Sequence, residues 1–192
     1  LGIPEELSDI AGLVARSHNL ELRSTYDYLK TKYDSHVKCR NSHPIFSMVL
    51  LRIADYLQID ASRVNSSWNS VQRLRSPISQ MEWNAHLAVR EIRQDDEDPE
   101  CLFISARPTT ASTFIKMRNL LKGLQSELDT SWAVISEVFG RRQNLFDFGI
   151  TIRRIKSNLD DEQLFLKTQK PNYFPLAAAF DTSGASLLKL LI

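Results

Sequence analysis

From His43 to Arg63 the chain reads HPIFSMVLLRIADYLQIDASR, an apolar run with an arginine and an aspartate set into it. Wound at about 100° per residue, Ile45, Phe46, Met48, Val49, Leu50, Leu51, Ile53, Ala54, Tyr56 and Leu57 leave almost no polar arc. Such a helix is expected to be buried on all sides. Pro44 fits its first position, with Ser42 and His43 as cap candidates. Arg52 and Asp55 are three residues apart and share one side of the helix. A buried charge has to be paired or bound to a metal, so two readings stand. Arg52 and Asp55 form an ion pair that locks helix packing, which the pattern alone favours, or Asp55 is a metal ligand.

Composition narrows the classes of function. The chain has 192 residues, 43% of them hydrophobic, with 24 basic against 23 acidic side chains and a net charge of +1. That is globular material, and the balanced charge argues against nucleic acid or an anionic membrane as partner. Cys39 and Cys101 lie far apart without CxxC spacing, which fits reduced thiols and offers no zinc site. No apolar run approaches the roughly 18 residues of a membrane span, and no secretory h-region is present. A cytoplasmic protein is expected. The chain starts at Leu1 without methionine and stops in the apolar pattern SLLKLLI, so it is expected to be a piece of a longer polypeptide.

Periodicity divides the chain in two. Residues 4–18 predict a helix opened by Pro4, with Leu7, Ile10, Leu13 and Val14 on one face and His18 at its end. A second helix is expected from Leu20 to Lys38, then the Pro44 helix. After Pro77 the alternation of Ala85, Leu87 and Val89, and of Leu102, Ile104 and Ala106, predicts a hairpin around the acidic turn Asp95 to Glu100. A long helix from Thr110 to Phe139 follows, with Gly123 and Asp129-Thr130-Ser131 as places where it could bend. A third strand is expected from Leu145 to Lys156, a further one within Asn172 to Phe180, and a closing helix after Ser183-Gly184. The predicted fold is α+β: helices over 1–65, a linker over 66–78, and a small antiparallel sheet packed with the long helix over 79–192.

Arg52-Ile53-Ala54-Asp55-Tyr56-Leu57, followed by Ile59 and Arg63, resembles the helix near the end of HD-superfamily metal-dependent phosphohydrolase domains. The form it is most similar to is the bacterial HD domain with a C-terminal extension, HD-CE, which commonly precedes a GHKL-type ATPase domain. Residues Ile152 to Asp161 and Ser186 to Ile192 also look like that extension. The resemblance implies that 1–65 is the C-terminal part of an all-helical HD bundle. It also implies that Asp55 is the last metal ligand, holding Mn, Mg, Fe or Zn for hydrolysis of a nucleotide or other phosphate ester.

Two departures bear on that implication. None of His18, His36, His43 and His86 is followed by aspartate, so the His-Asp doublet is absent and is expected upstream of Leu1. Gln58 stands where the helix usually carries a second acid. A transition-metal site needs about three or four protein ligands, and only Asp55 and His18 are candidates in this chain. The residues alone favour His18 as a helix-capping or surface histidine.

Arg52 and Arg63 are candidates for orienting phosphate oxygens through their planar forks. Arg153, Arg154, Asp160 and Asp161 form a mixed-charge cluster, either a solvated strand end or a docking surface for a following domain. Two functions are therefore carried forward. One is part of an HD-type phosphohydrolase, inactive as this isolated piece. The other is a catalytically degenerate module that controls or dimerises an adjacent ATPase domain, where ATP would bind, with homodimerisation as a further expectation.

Overall fold

The computed structural model describes residues 5–32, 43–59, 76–140 and 150–175. Helix α1 (Glu5–Arg16) buries Ile10 and half-buries Leu7, Leu13 and Val14, then tightens into a 3-10 turn, Ser17–Asn19. Helix α2 (Leu22–Lys32) starts where the Glu21 carboxylate accepts the backbone N–H groups of Arg23 and Ser24. Leu22, Thr25, Tyr26 and Leu29 make its buried face at the expected 3–4 spacing.

Helix α3 (Pro44–Leu57) begins with Pro44 in the first turn. It is not buried all round, as its composition predicts. Ile45, Met48, Val49, Arg52 and Ile53 face inward, whereas Leu50 and Leu51 remain 47% and 40% exposed. The helix packs on α1 and on the long helix from one side only, so the other half of its apolar surface faces out.

Residues 77–88 form helix α4 (Pro77–Ala88), and strand β1 (Val89–Gln94) starts only at its end. The alternation from Ala85 to Val89 is too short to exclude a helix. Ala85 and Ala88, three apart, are buried together there. Strand β2 (Cys101–Ala106) pairs antiparallel with β1, with Ile92 opposite Ile104 and an irregularity between Val89 and Glu91. The acidic turn between them is internally bonded: Asp95 Oδ1 accepts the amides of Glu97 and Asp98, and Asp98 Oδ1 accepts that of Glu100.

Thr110 caps helix α5 (Ala111–Phe139) by accepting the Thr113 amide at 3.2 Å. The helix runs its 29 residues, about 44 Å, as one helical element through Gly123 and through residues 129–131. Leu121, Leu124, Leu128, Trp132 and Ile135 stay buried across both places. Strand β3 (Arg154–Ser157) then pairs with β2 in parallel, making a mixed three-stranded sheet instead of the expected antiparallel one. One intervening helix carries the chain back to the starting end of β2, so the next strand runs the same way. Residues 150–153 lie outside any strand, which leaves β3 shorter than its alternation suggests.

Asp161 caps the next helix, α6 (Glu162–Gln169), which periodicity does not predict, and Lys170 ends it in the left-handed region at φ 44°. Residues 172–175 form no strand. The rest of the expected fourth strand and the closing helix lie outside the described residues, as do residues 60–75 with Arg63 and most of the expected linker.

Two buried cores share α5. Its first half, from Phe114 to Leu124, packs on Ala85, Ala88, Val89, Ile104 and Phe165, and its second half, from Leu128 to Phe139, packs on α2 and α3. Glu137 fastens α2 to this second half. It accepts hydrogen bonds from Arg23 at 2.7 Å, the Tyr26 hydroxyl at 3.0 Å and Lys30 at 3.3 Å. The Arg23 guanidinium, with help from Tyr26 and Lys30, draws its pKa from 4.5 down to about 2. A carboxyl with a depressed folded pKa stabilises the fold above its unfolded pKa and loses that contribution as pH falls through the folded one. Glu137→Gln should therefore lower the urea midpoint at neutral pH, and the gap to wild type should close between pH 4.5 and about 2. A gap that stays constant across that window would remove this role from Glu137.

Candidate functional site at the α3 and α5 contact

Arg52 is the centre of the site. It is 5% exposed, in the middle of α3, and its fork faces the Glu127 carboxylate on α5. Nε bonds Oε1, and Nη2 donates to Oε2 at 2.9 Å. Nη1 turns the other way, donating to the carbonyl of Ser17 and, at 2.7 Å, to that of Leu20. One guanidinium thereby joins α3, α5 and the turn between α1 and α2. The carbonyls beyond the end of α1 gain a partner, and the buried carboxylate of Glu127 gains its counter-charge.

The expected Arg52–Asp55 ion pair is absent. Three residues of helix turn the second side chain about 60° from the first, and here that step crosses the boundary between core and solvent. Asp55 is exposed, and no described residue bonds its carboxylate. Arg52 reaches inward to a partner 75 residues away. Four of its five N–H donors go to Glu127 and the two carbonyls, and the group is buried away from the surface.

His18 caps the end of α1. Its Nδ1 donates to the Ala15 carbonyl at 2.8 Å, so Nε2 accepts from the Asn19 amide at 2.9 Å, the tautomer these two partners require. Among the described residues no three His, Cys, Asp or Glu side chains come together in a way that could hold a metal ion. Asp55 and His18 therefore do not by themselves fit a divalent cation.

The expected mixed-charge cluster does not pair within itself: its arginines turn to the hairpin acids and to Trp132, and its aspartates accept backbone amides. Arg154 Nε and Nη2 donate to Asp98 at 2.8 and 3.1 Å, and Lys156 lies 3.4 Å from Asp95. The Arg154 bond holds the Asp98 carboxyl below its usual range. Arg153 lies over the Trp132 ring at 4.1 Å, and the indole N–H donates to the Ile152 carbonyl at 2.7 Å. Asp160 accepts the Ser157 amide to close a turn, and Asp161 caps α6. The cations of β3 thus pair with Asp95, Asp98 and Glu100 of the acidic hairpin turn.

Glu127 is the residue that sequence reasoning missed. Its signal was present, because it sits beside Leu124 and Leu128 on the buried stripe of a strongly periodic helix, where a charge needs a partner. The HD-CE family model matches residues 1–130, well over half of the chain, and spans Arg52, Asp55 and Glu127 alike. That match supports an HD-like domain. The chain belongs to the HD-CE family. No curated protein and no solved structure matches it. No helix among the described residues is long and apolar enough to cross a membrane.

Replacing Arg52 by lysine keeps the charge and removes the planar fork. Arg52→Lys is expected to cost at least about 2 kcal/mol in chemical denaturation, because several charge-assisted hydrogen bonds are lost together. Amide exchange in the turn at 17–20 should rise with it. Unchanged exchange in that turn would mean that Arg52 does not hold it.

Proposed function

We propose that this chain is part of an HD-type, metal-dependent phosphohydrolase acting on a nucleotide or other phosphate ester, with Asp55 as one ligand of a divalent metal. The observation that supports this reading is the division of labour on α3. The family-like motif carries two charges, and the buried one is engaged in holding the fold, whereas the carboxylate of Asp55 faces solvent without a partner among the described residues. A carboxylate free of internal bonds can be given to a cation. The described residues do not complete such a site, so the remaining ligands would come from residues not described here. Asp55 thus belongs to the metal reading and Arg52 to the scaffold.

A second reading is favoured by the Arg52–Glu127 pair itself. It ties the HD-like helices to α5, and α5 also carries the sheet, so a displacement of α3 would be passed to the extension. In that reading the chain is a transducer that regulates an adjacent domain, an ATPase of the GHKL type, without hydrolysis of its own.

The two are separated by the full-length protein and Asp55→Ala. The phosphohydrolase reading expects manganese affinity to fall by about tenfold or more, with loss of phosphodiesterase or nucleotidase activity and an unchanged melting temperature. Equal metal content and equal activity in both proteins would discard it. The transducer reading would then expect ATPase rates to respond to Glu127→Gln and not to Asp55→Ala.

A further inference from the structure

Helices α1 and α2 splay apart. Helix α1 packs on α3 and α2 packs on α5, which leaves a groove of about 670 Å³ between the pair. Its α1 wall carries Asp9, Gly12 and Arg16, and its α2 side carries Leu20 and Tyr28, which are 43% and 51% exposed. Asp9 and Arg16 are both exposed, and neither has an ion-pair partner among the described residues. Seven residues apart, they lie two turns from each other on one face, about 10 Å along the axis, too far to pair within their own helix.

Their spacing has a symmetry. The midpoint between Asp9 and Arg16 falls between Gly12 and Leu13, at the centre of the α1 face. If a second α1 is laid antiparallel on the first, with a two-fold axis through that midpoint, Asp9 of each copy meets Arg16 of the other. A two-fold axis perpendicular to both helices keeps each flank on its own side, so the two ion pairs form together on the same flank. Gly12 sits at the crossing. A Cβ there would meet nothing within 4 Å in the single chain, so nothing inside this fold calls for a glycine, although glycine weakens a helix interior. Between two copies it lets the backbones approach closely. The exposed Leu20 and Tyr28 provide apolar surface beside the crossing, and Leu20 is held in place by its carbonyl bond to Arg52.

We propose that this face is the interface of a homodimer, with α1 packed antiparallel on α1 of a second copy and reciprocal Asp9–Arg16 ion pairs. A surface complementary to itself about a two-fold axis is what an isologous dimer requires.

Sedimentation velocity of the purified protein, followed across the micromolar range, tests it. The chain of 22.0 kDa is expected to approach twice its mass as concentration rises, and added salt should weaken the association. Asp9→Arg alone and Arg16→Asp alone should each be monomeric, since each places like charges opposite one another. Mixing these two variants should restore a dimer, because each copy then presents the charges the other lacks. Gly12→Leu should dissociate the dimer without lowering the melting temperature. Circular dichroism of the single variants confirms that they are folded. A wild-type protein that stays monomeric overturns the proposal, and so does a dimer that survives both single substitutions or a mixture that fails to associate.

Discussion

A guanidinium removed from water must have its charge matched and its donors used, and Arg52 meets both demands through three separate pieces of chain. The Glu127 carboxylate on α5 supplies the charge, and the carbonyls of Ser17 and Leu20 take the two hydrogens of Nη1. Neither partner lies on α3. The position of α3 on α5, and of the turn that redirects the chain from α1 to α2, therefore depends on one side chain. Apolar packing around it is non-directional and would tolerate a shift along α5, whereas a bidentate pair is satisfied in one register only.

Helix α5 extends this constraint to the rest of the molecule. Its second half forms the floor under α2 and α3, and its first half is the layer against which the sheet packs. Gln125, two residues before Glu127, bonds the Arg153 carbonyl at 3.0 Å and accepts the Ile155 amide at 2.8 Å, so the helix also sets where β3 begins. Asn158 then holds the end of β2 by exchanging two hydrogen bonds with Ala106. Arg154 and Lys156 of β3 pair with Asp98 and Asp95 of the hairpin turn. The cations of these pairs are exposed and the carboxylates half-buried, and they contribute less than the buried pair.

What the sequence could and could not reveal follows from the range of each interaction. Strand β2 and helix α5 were legible because their periods are long or clean, and the α+β class followed from them. The boundary between α4 and β1 was not, since Ala85 to Val89 satisfies both a period of two and a spacing of three. Strand direction is a property of the connection rather than of the strand, so β3 reads as a strand without reading as parallel. Asp161 reads as part of a charged strand end, because its partner, the Leu164 amide, becomes visible only once α6 exists. In the candidate site, the motif around Asp55 marked the family. Arg52 was given its nearest acid, yet its partner is 75 residues distant, and no local pattern pairs residues across that gap.

The central claim is that Arg52 and Glu127 act as one unit. A double-mutant cycle in chemical denaturation, with Arg52→Met, Glu127→Leu and both together, measures their coupling. The account predicts that each single change costs about 3–5 kcal/mol by leaving a buried charge unmatched, and that the double variant recovers much of that loss. If the two losses simply add in the double variant, the pair does not hold the structure together.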